Sequence, residues 1–300
     1  MTMTIPTRVT VVEVGPRDGL QNEAATVALA DKVAFIDLLS QTGLPAIEVT
    51  AFVSPKWVPQ MADASEVFAQ IKQRPNVRYP VLVPNLNGLE RAGAAGVCEI
   101  AVFAAASETF SRKNINQSID ESLATYRAVC QQALTLGMRV RGYVSTAFGC
   151  PFEGQVSPAR VADVCAALVE MGTFEVSVSD TIGIAHPGQV SAVLDAVTSR
   201  VPLKKVALHF HDTRGTALAN VLTALHYGVT TFDASAGGLG GCPYAPGATG
   251  NLATEDLLYM LHGLGVETGV SLEGVVKASA YIEPRVGHRL PSRYYRAVAR

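Results

Sequence analysis

The 300-residue sequence is poor in charge. Lys, Arg, Asp and Glu make up 17% of it and nearly cancel, leaving a net charge of −2, where an average soluble domain carries about 25% charged residues. No global basic field exists, which removes nucleic acid and anionic membrane surfaces from the expected partners. Long apolar runs are lacking too. A stretch such as Val97–Ala106 is well short of the ~20 residues that a membrane span needs. Met1–Arg8 shows no apolar signal core after a basic start, and Ala297–Arg300 no peroxisomal or retention signal. The five cysteines are an odd number, scattered and without a CxxC pair. That fits reduced thiols in the cytoplasm better than a disulfide framework. What is abundant is hydrophobic side chain, at 48%, which implies a large buried core with surface to spare for a homo-oligomer, a dimer or larger.

Short β-branched runs alternate with longer helical patterns. The pattern predicts strands at 9–14, 46–50, 78–83, 97–104, 139–144, 175–179, 205–211 and 231–234, and helices at 28–41, 62–70, 86–94, 119–136, 157–171, 187–200, 218–227 and 253–262. Eight strands each followed by a helix predict an α/β fold, a (β/α)8 TIM barrel. No GxGxxG follows the first strand, as a doubly wound dinucleotide fold would require. No linker splits the chain, so a single catalytic domain over 1–300 is expected, with a barrel over about 9–262 and a short C-terminal helical extension over 263–300.

In such a barrel the chemistry sits where the strands end. After the first strand, Gly15-Pro16 breaks the chain and Gly19 permits a turn, holding Arg17 and Asp18 at the mouth. The seventh strand ends Leu208-His209-Phe210-His211. Side chains alternate across a strand, so His209 and His211 point inward together while Val206, Leu208 and Phe210 face the helices. Closure places the eighth strand between the first and the seventh, so Asp18, His209 and His211 converge, with Asn251 from the loop after the eighth strand as a fourth donor. Two imidazoles, a carboxylate and an amide oxygen suit a divalent cation, Mg²⁺ or Mn²⁺, with Zn²⁺ or Fe²⁺ a weaker match. That last loop, 235–251, contains six glycines and two prolines and is far longer than an ordinary βα connection, which reads as a lid. It carries Cys242, whose pKa a nearby cation would lower enough for proton transfer. Cys98, Cys130 and Cys165 fall within strand or helix patterns and are expected in the core; Cys150 is ambiguous. Glu48 faces inward between Ile47 and Val49 and needs a cationic partner, for which Arg17 is placed. Asp180 closes the sixth strand, either as a loop cap or as a catalytic or substrate-contacting group.

The segments Glu13–Glu23 (EVGPRDGLQNE), Glu48–Met61 (EVTAFVSPKWVPQM), Ser107–Asn116 (SETFSRKNIN), Arg141–Gly154 (RGYVSTAFGCPFEG), Ser179–Gly183 (SDTIG) and Gly238–Leu261 (GLGGCPYAPGATGNLATEDLLYML) resemble the hydroxymethylglutaryl-CoA lyases, over about 9–272. The resemblance implies a metal-dependent lyase that cleaves 3-hydroxy-3-methylglutaryl-CoA by retro-Claisen chemistry to acetyl-CoA and acetoacetate, late in leucine breakdown. It implies an acyl-CoA partner, metal ligands at Asp18, His209, His211 and Asn251, a catalytic arginine at Arg17 and a catalytic thiol at Cys242. Glu48, Asp180 and Gln21 also match site positions, and Ser177, on the strand leading to Asp180, is expected to contact substrate. Ala51, where the family has a serine, and Arg214, where a tyrosine is common, depart from the pattern. Ala51 leaves room for a longer 3-hydroxy-3-alkylglutaryl-CoA as substrate. A Claisen synthase condensing an acyl-CoA with a 2-oxo acid would share the metal and arginine but lack the cysteine loop, and a non-catalytic metal-stabilised scaffold would bind metal without turnover. The tail arginines Arg285, Arg289, Arg293, Arg296 and Arg300, together with Arg112 and Lys113, are the local cations available to CoA phosphates.

Overall fold

The structure is a computed structural model and describes residues 5–241 and 250–299. Its strands are β1 (Thr10–Glu13), β2 (Ala46–Ile47), β3 (Thr50–Ala51), β4 (Val81–Leu82), β5 (Glu99–Ala105), β6 (Arg139–Ser145), β7 (Glu175–Asp180), β8 (Val206–Phe210) and β9 (Thr231–Ala234). They form one sheet in the order β2-β1-β9-β8-β7-β6-β5-β4-β3, every ladder parallel. β2 and β3 are the two ends of one stretch. Val12 and Glu13 pair with Ala46 and Ile47, the Glu48 amide still donates to the Glu13 carbonyl at 2.8 Å, and the Val49 amide turns to the Pro80 carbonyl at 3.0 Å. The nine segments therefore occupy eight positions of a closed (β/α)8 barrel, and closure leaves no open edge.

Helices fill the connections: α1 (Leu29–Leu39), α2 (Ala64–Gln70), α3 (Leu86–Ala94), α4 (Glu108–Ile115), α5 (Ile119–Thr135), α6 (Pro158–Glu170), α7 (Pro187–Thr198), α8 (Ala217–Tyr227) and α9 (Thr254–Gly263). Local chemistry sets several of their starts. Ser118 and Glu121 form a capping box at α5, Asn85 caps α3, and Pro158 opens α6 at a position where its missing N–H costs nothing. α4 was not foreseen; its polar sequence, Glu108–Ile115, has no long apolar stripe, and the Ser107 side chain starts it by accepting from the Phe110 amide. The strands are buried on both faces, as parallel strands are. Their outward residues join the helices in one apolar cluster that takes in Val140, Val144, Val176, Val178, Leu208 and Phe210. Gly142 sits flat in that layer: a Cβ there would meet Leu168 of α6 at 3.1 Å.

The C-terminal extension forms α10 (Leu272–Val286) and α11 (Arg293–Val298). Arg285 and Tyr281 of α10 both reach Asp31 of α1, at 2.5 and 2.7 Å. Arg293 pairs with Asp212 at 3.1 Å, and Arg296 gives its Nε to the Leu290 carbonyl. Three tail arginines thus tie the extension down. One expectation is corrected: Cys98 is exposed, because it precedes β5 in the turn after Gly96, whereas Cys130 and Cys165 are fully buried.

Candidate active site

The site begins where β1 ends. Gly15–Gly19 (GPRDG) form one π-helical turn, a wide turn that recurs at functional sites. It aims Arg17 and Asp18 into the mouth. Close packing requires Gly19, where a Cβ would meet the Leu239 side chain at 2.9 Å. Arg17 is buried and gives Nε to Glu48 at 2.6 Å and an outer nitrogen to Asp18 at 2.7 Å. Burial alone would lower the Arg17 pKa, but Glu48 and Asp18 outweigh it and hold the guanidinium charged. The same burial pushes Glu48 up, against the pull of Arg17.

Asp18, His209 and His211 each offer one donor atom, all within 4.8 Å of one another. His209 and His211 lie at i and i+2 along the end of β8, their ring centroids 5.2 Å apart. Nε2 of His209 faces Asp18 at 4.0 Å. Asp18 overcomes the effect of burial through Arg17, His209 and His211, and its pKa falls to about 2. Burial and the neighbouring His209 depress His211 to about 4, which keeps it neutral with a free lone pair. Asn251 bridges backbone to His211 and gives Nδ2 to Asp18 at 3.0 Å and to the Leu239 carbonyl at 3.1 Å. Its Oδ1 is buried with no hydrogen-bond partner, as is His211 Nδ1. Unsatisfied buried acceptors beside an ionised carboxylate and a neutral imidazole fit a divalent cation, which would take the lone pairs that the protein leaves idle.

The remaining expected residues divide. Gln21 stands just beyond the π turn, and its Oε1 is buried and unpartnered. Asp180 is 1% exposed, and its two oxygens accept the Ile184 and Ala185 amides at 2.9 and 3.0 Å, so it shapes its own loop; burial lifts its pKa to about 6. Ser177 does not reach the mouth. It is fully buried and donates to Asp233 at 2.8 Å, two residues before Ser179, which pairs in register with His209. Cys242 lies outside the described residues. Flanking it, Gly240 and Gly250 cross so closely that a Cβ on Gly250 would fall 1.5 Å from the Gly240 carbonyl oxygen. Glu13, missed in the sequence, braces the stem of this loop by accepting from the Gly15 and Ala236 amides and the Thr254 hydroxyl. Asp233, Arg141 and Tyr143 were missed as well. The period-2 argument that singled out His209 and His211 applies equally to Arg141 and Tyr143 in RVRGYVS and to Asp233 in TFDA.

A closed parallel barrel with a carboxylate, two imidazoles and a paired arginine converging at its C-terminal mouth defines a barrel protein with a site for a divalent cation. A family model described as HMGL-like matches residues 8–282, and the chain belongs to that family. It is 54% identical over 297 residues to "Hydroxymethylglutaryl-CoA lyase, mitochondrial" of Bos taurus, covering 99% of this chain and 91% of the relative. It is 57% identical over 278 residues to "3-hydroxy-3-methylglutaryl-CoA lyase, cytoplasmic" of Danio rerio, covering 93% and 83%. The crystal structure of hydroxymethylglutaryl-CoA lyase from Pseudomonas aeruginosa superposes with a TM-score of 0.96 at 52% identity, covering 98% of each chain.

Proposed function

We propose that this chain cleaves 3-hydroxy-3-methylglutaryl-CoA to acetyl-CoA and acetoacetate with the help of a divalent cation, Mg²⁺ or Mn²⁺. The observation that carries the reading is the cluster of Asp18, His209 and His211 set beside the Arg17–Glu48 pair. Asp18, His209, His211 and Asn251 through its idle Oδ1 would hold the cation. Bound there, the cation supplies Lewis acidity, lowering the pKa of the substrate's C3 hydroxyl and fixing its orientation.

The chain's own groups do the rest. Asp180 or Asp18 takes the C3 hydroxyl proton, the C2–C3 bond breaks, the C3 oxygen becomes the ketone of acetoacetate, and the electron pair passes into the thioester enolate. Arg17, locked by Glu48 so that its charge needs no reorganisation, stabilises the enolate oxygen. Cys242 delivers the proton to C2 that completes acetyl-CoA. Gln21, with its unpartnered Oε1, contacts substrate. Asp180 also holds the segment that follows it, by accepting the Ile184 and Ala185 amides. Arg112 and Lys113, in the connection after β5, would meet the CoA phosphates. A cytoplasmic location and a homo-oligomeric state belong to the same reading. The free thiols among the described residues support the first, and the low charge the second. No described helix is long and apolar enough to cross a membrane.

The test uses chelator-stripped protein, hydroxymethylglutaryl-CoA, and Mg²⁺ or Mn²⁺ added or withheld, following acetoacetate. Metal-dependent release that collapses in Cys242→Ala is the expected result. No release from the fully metal-loaded chain would overturn the substrate assignment and turn attention to longer 3-hydroxy-3-alkylglutaryl-CoA thioesters.

A further inference from the structure

Behind the cation cluster lies a second set of charges. The Asp233 carboxylate, at the end of β9, is completely buried. Its Oδ1 accepts an outer nitrogen of Arg141 at 2.8 Å. Its Oδ2 accepts the Ser177 hydroxyl at 2.8 Å and stands 3.4 Å from Nδ1 of His209. β6 and β9 are not neighbours in the sheet, so Arg141 reaches Asp233 through the interior of the barrel. Arg141 also gives Nε to Glu175 and its other outer nitrogen to the Tyr143 hydroxyl, at 2.8 and 2.9 Å. The Tyr143 ring lies near both buried guanidiniums, 5.0 Å from Arg141 and 5.6 Å from Arg17.

This arrangement decides which nitrogen of His209 carries the proton. A neutral imidazole has one N–H, and an ionised carboxylate can only accept. Both ring nitrogens of His209 face a carboxylate, Nδ1 that of Asp233 at 3.4 Å and Nε2 that of Asp18 at 4.0 Å; the nearer acceptor holds the hydrogen on Nδ1 and leaves the lone pair on Nε2. Nδ1 of both rings is buried without an aligned hydrogen bond, but among the described residues only that of His209 has a carboxylate oxygen beside it, at 3.4 Å; His211 Nδ1 has none. The two histidines of the cluster are thus unequal, one set in advance and one free to adapt.

We propose that Asp233, anchored by Arg141 and Ser177, is a positioning residue that fixes the His209 tautomer, so that the Nε2 lone pair faces the cation site before any cation arrives. The inference rests on the cation reading given above. Asp233 touches neither substrate nor reacting atoms; it acts through His209, as a carboxylate behind a ligating imidazole does.

Asp233→Asn tests this at constant size. Arg141 requires an acceptor, so the amide oxygen takes the place of Oδ1, and the amide nitrogen, a donor, faces Nδ1 of His209. The ring proton then moves to Nε2. Metal-free protein is examined by two-bond ¹H–¹⁵N spectra of the histidine rings, with His209 assigned by comparison with His209→Gln, and is then titrated calorimetrically with Mn²⁺. The expected result is an Nδ1–H tautomer in the wild type, an Nε2–H tautomer in Asp233→Asn, and Mn²⁺ binding weakened about 10- to 100-fold in the variant. An unchanged tautomer with Mn²⁺ affinity within twofold of the wild type would overturn the proposal. So would an Nε2–H tautomer of His209 in the wild type, a result that needs no variant and covers the case in which Asp233→Asn does not fold. A wild-type chain that binds no Mn²⁺ would overturn the cation reading instead, while the tautomer spectra still decide the role of Asp233.

Discussion

Along β6, Val140 and Val144 join the apolar layer under the helices, while Arg141 and Tyr143 between them turn to the barrel's interior. β7 does the same with Val176 and Val178 against Ser177, and β8 with Leu208 and Phe210 against His209. The same strands build two regions with opposite rules. In the outer layer the free energy is area and volume, and each side chain is exchangeable for another of like shape at modest cost. In the interior both arginines have named opposites: Arg17 has Glu48 and Asp18, Arg141 has Glu175 and Asp233. Removing one member strands another in a place that water cannot reach.

The sharpest way to break this contrast is Arg141→Met, which keeps bulk and deletes charge. Leaving Asp233 and Glu175 without their cation should cost about 3–5 kcal/mol of stability by chemical denaturation. A loss under about 1 kcal/mol would mean that the interior tolerates replacement as the outer layer does. Next comes Arg17→Gln, which should lower kcat about 100-fold or more in the acetoacetate assay, since a neutral donor balances the enolate poorly; a loss below tenfold would take Arg17 out of the chemistry. From the outer layer, Ile100→Val, fully buried on β5, should cost only about 0.5–1.5 kcal/mol with kcat unchanged, and a fall in kcat would join the two regions.

A further effect is one of pH. Burial raises the pKa of Glu13, and that of Glu255, which accepts from the Gly237 amide and the Ser279 hydroxyl, from 4.5 to about 7. A carboxyl with a raised folded pKa contributes its full stability below its unfolded pKa and loses it as pH rises through the folded value. In the presence of EDTA, the melting temperature should therefore fall between about pH 5 and 8. Glu13→Gln should flatten part of that fall and leave the Glu255 part. A slope identical to the wild type would show that Glu13 contributes nothing to the pH dependence in this range.

The outer layer was largely legible in the sequence, because a period of two or of 3.6 survives wherever one face meets helices: the helix over 86–94 and the strand over 231–234 fall on their predicted bounds. The strand expected at 46–50 shows the limit. It divides into β2, laddered to β1, and β3, laddered to β4, a division that no local pattern encodes. The cation cluster was legible because topology alone brings the end of β1 beside the end of β8. Glu48 found its expected partner in Arg17 for the same reason. What lay hidden were the inner charges Arg141 and Asp233. Each looks like an isolated polar residue in a strand, and only the cross-barrel distance reveals the pair. Ser177 and Asp180 were visible as polar groups near the mouth, but not what their oxygens already hold.

The parallel ladder between β1 and β9 joins Thr10 to Thr231, two segments made at opposite ends of synthesis. A chain leaving the ribosome can assemble successive βα units early, since each pairs with the one before it. Its first strand must wait, with one flank unpaired, until the ninth has emerged. Contacts so distant in sequence form late and slowly. Asp18 rides on the segment that waits, and His209 and Asn251 on the segments that arrive. A chain that ends before residue 251 therefore lacks part of the proposed cation site. A bound metal ion would certify that translation has passed residue 251 and that the ring has shut.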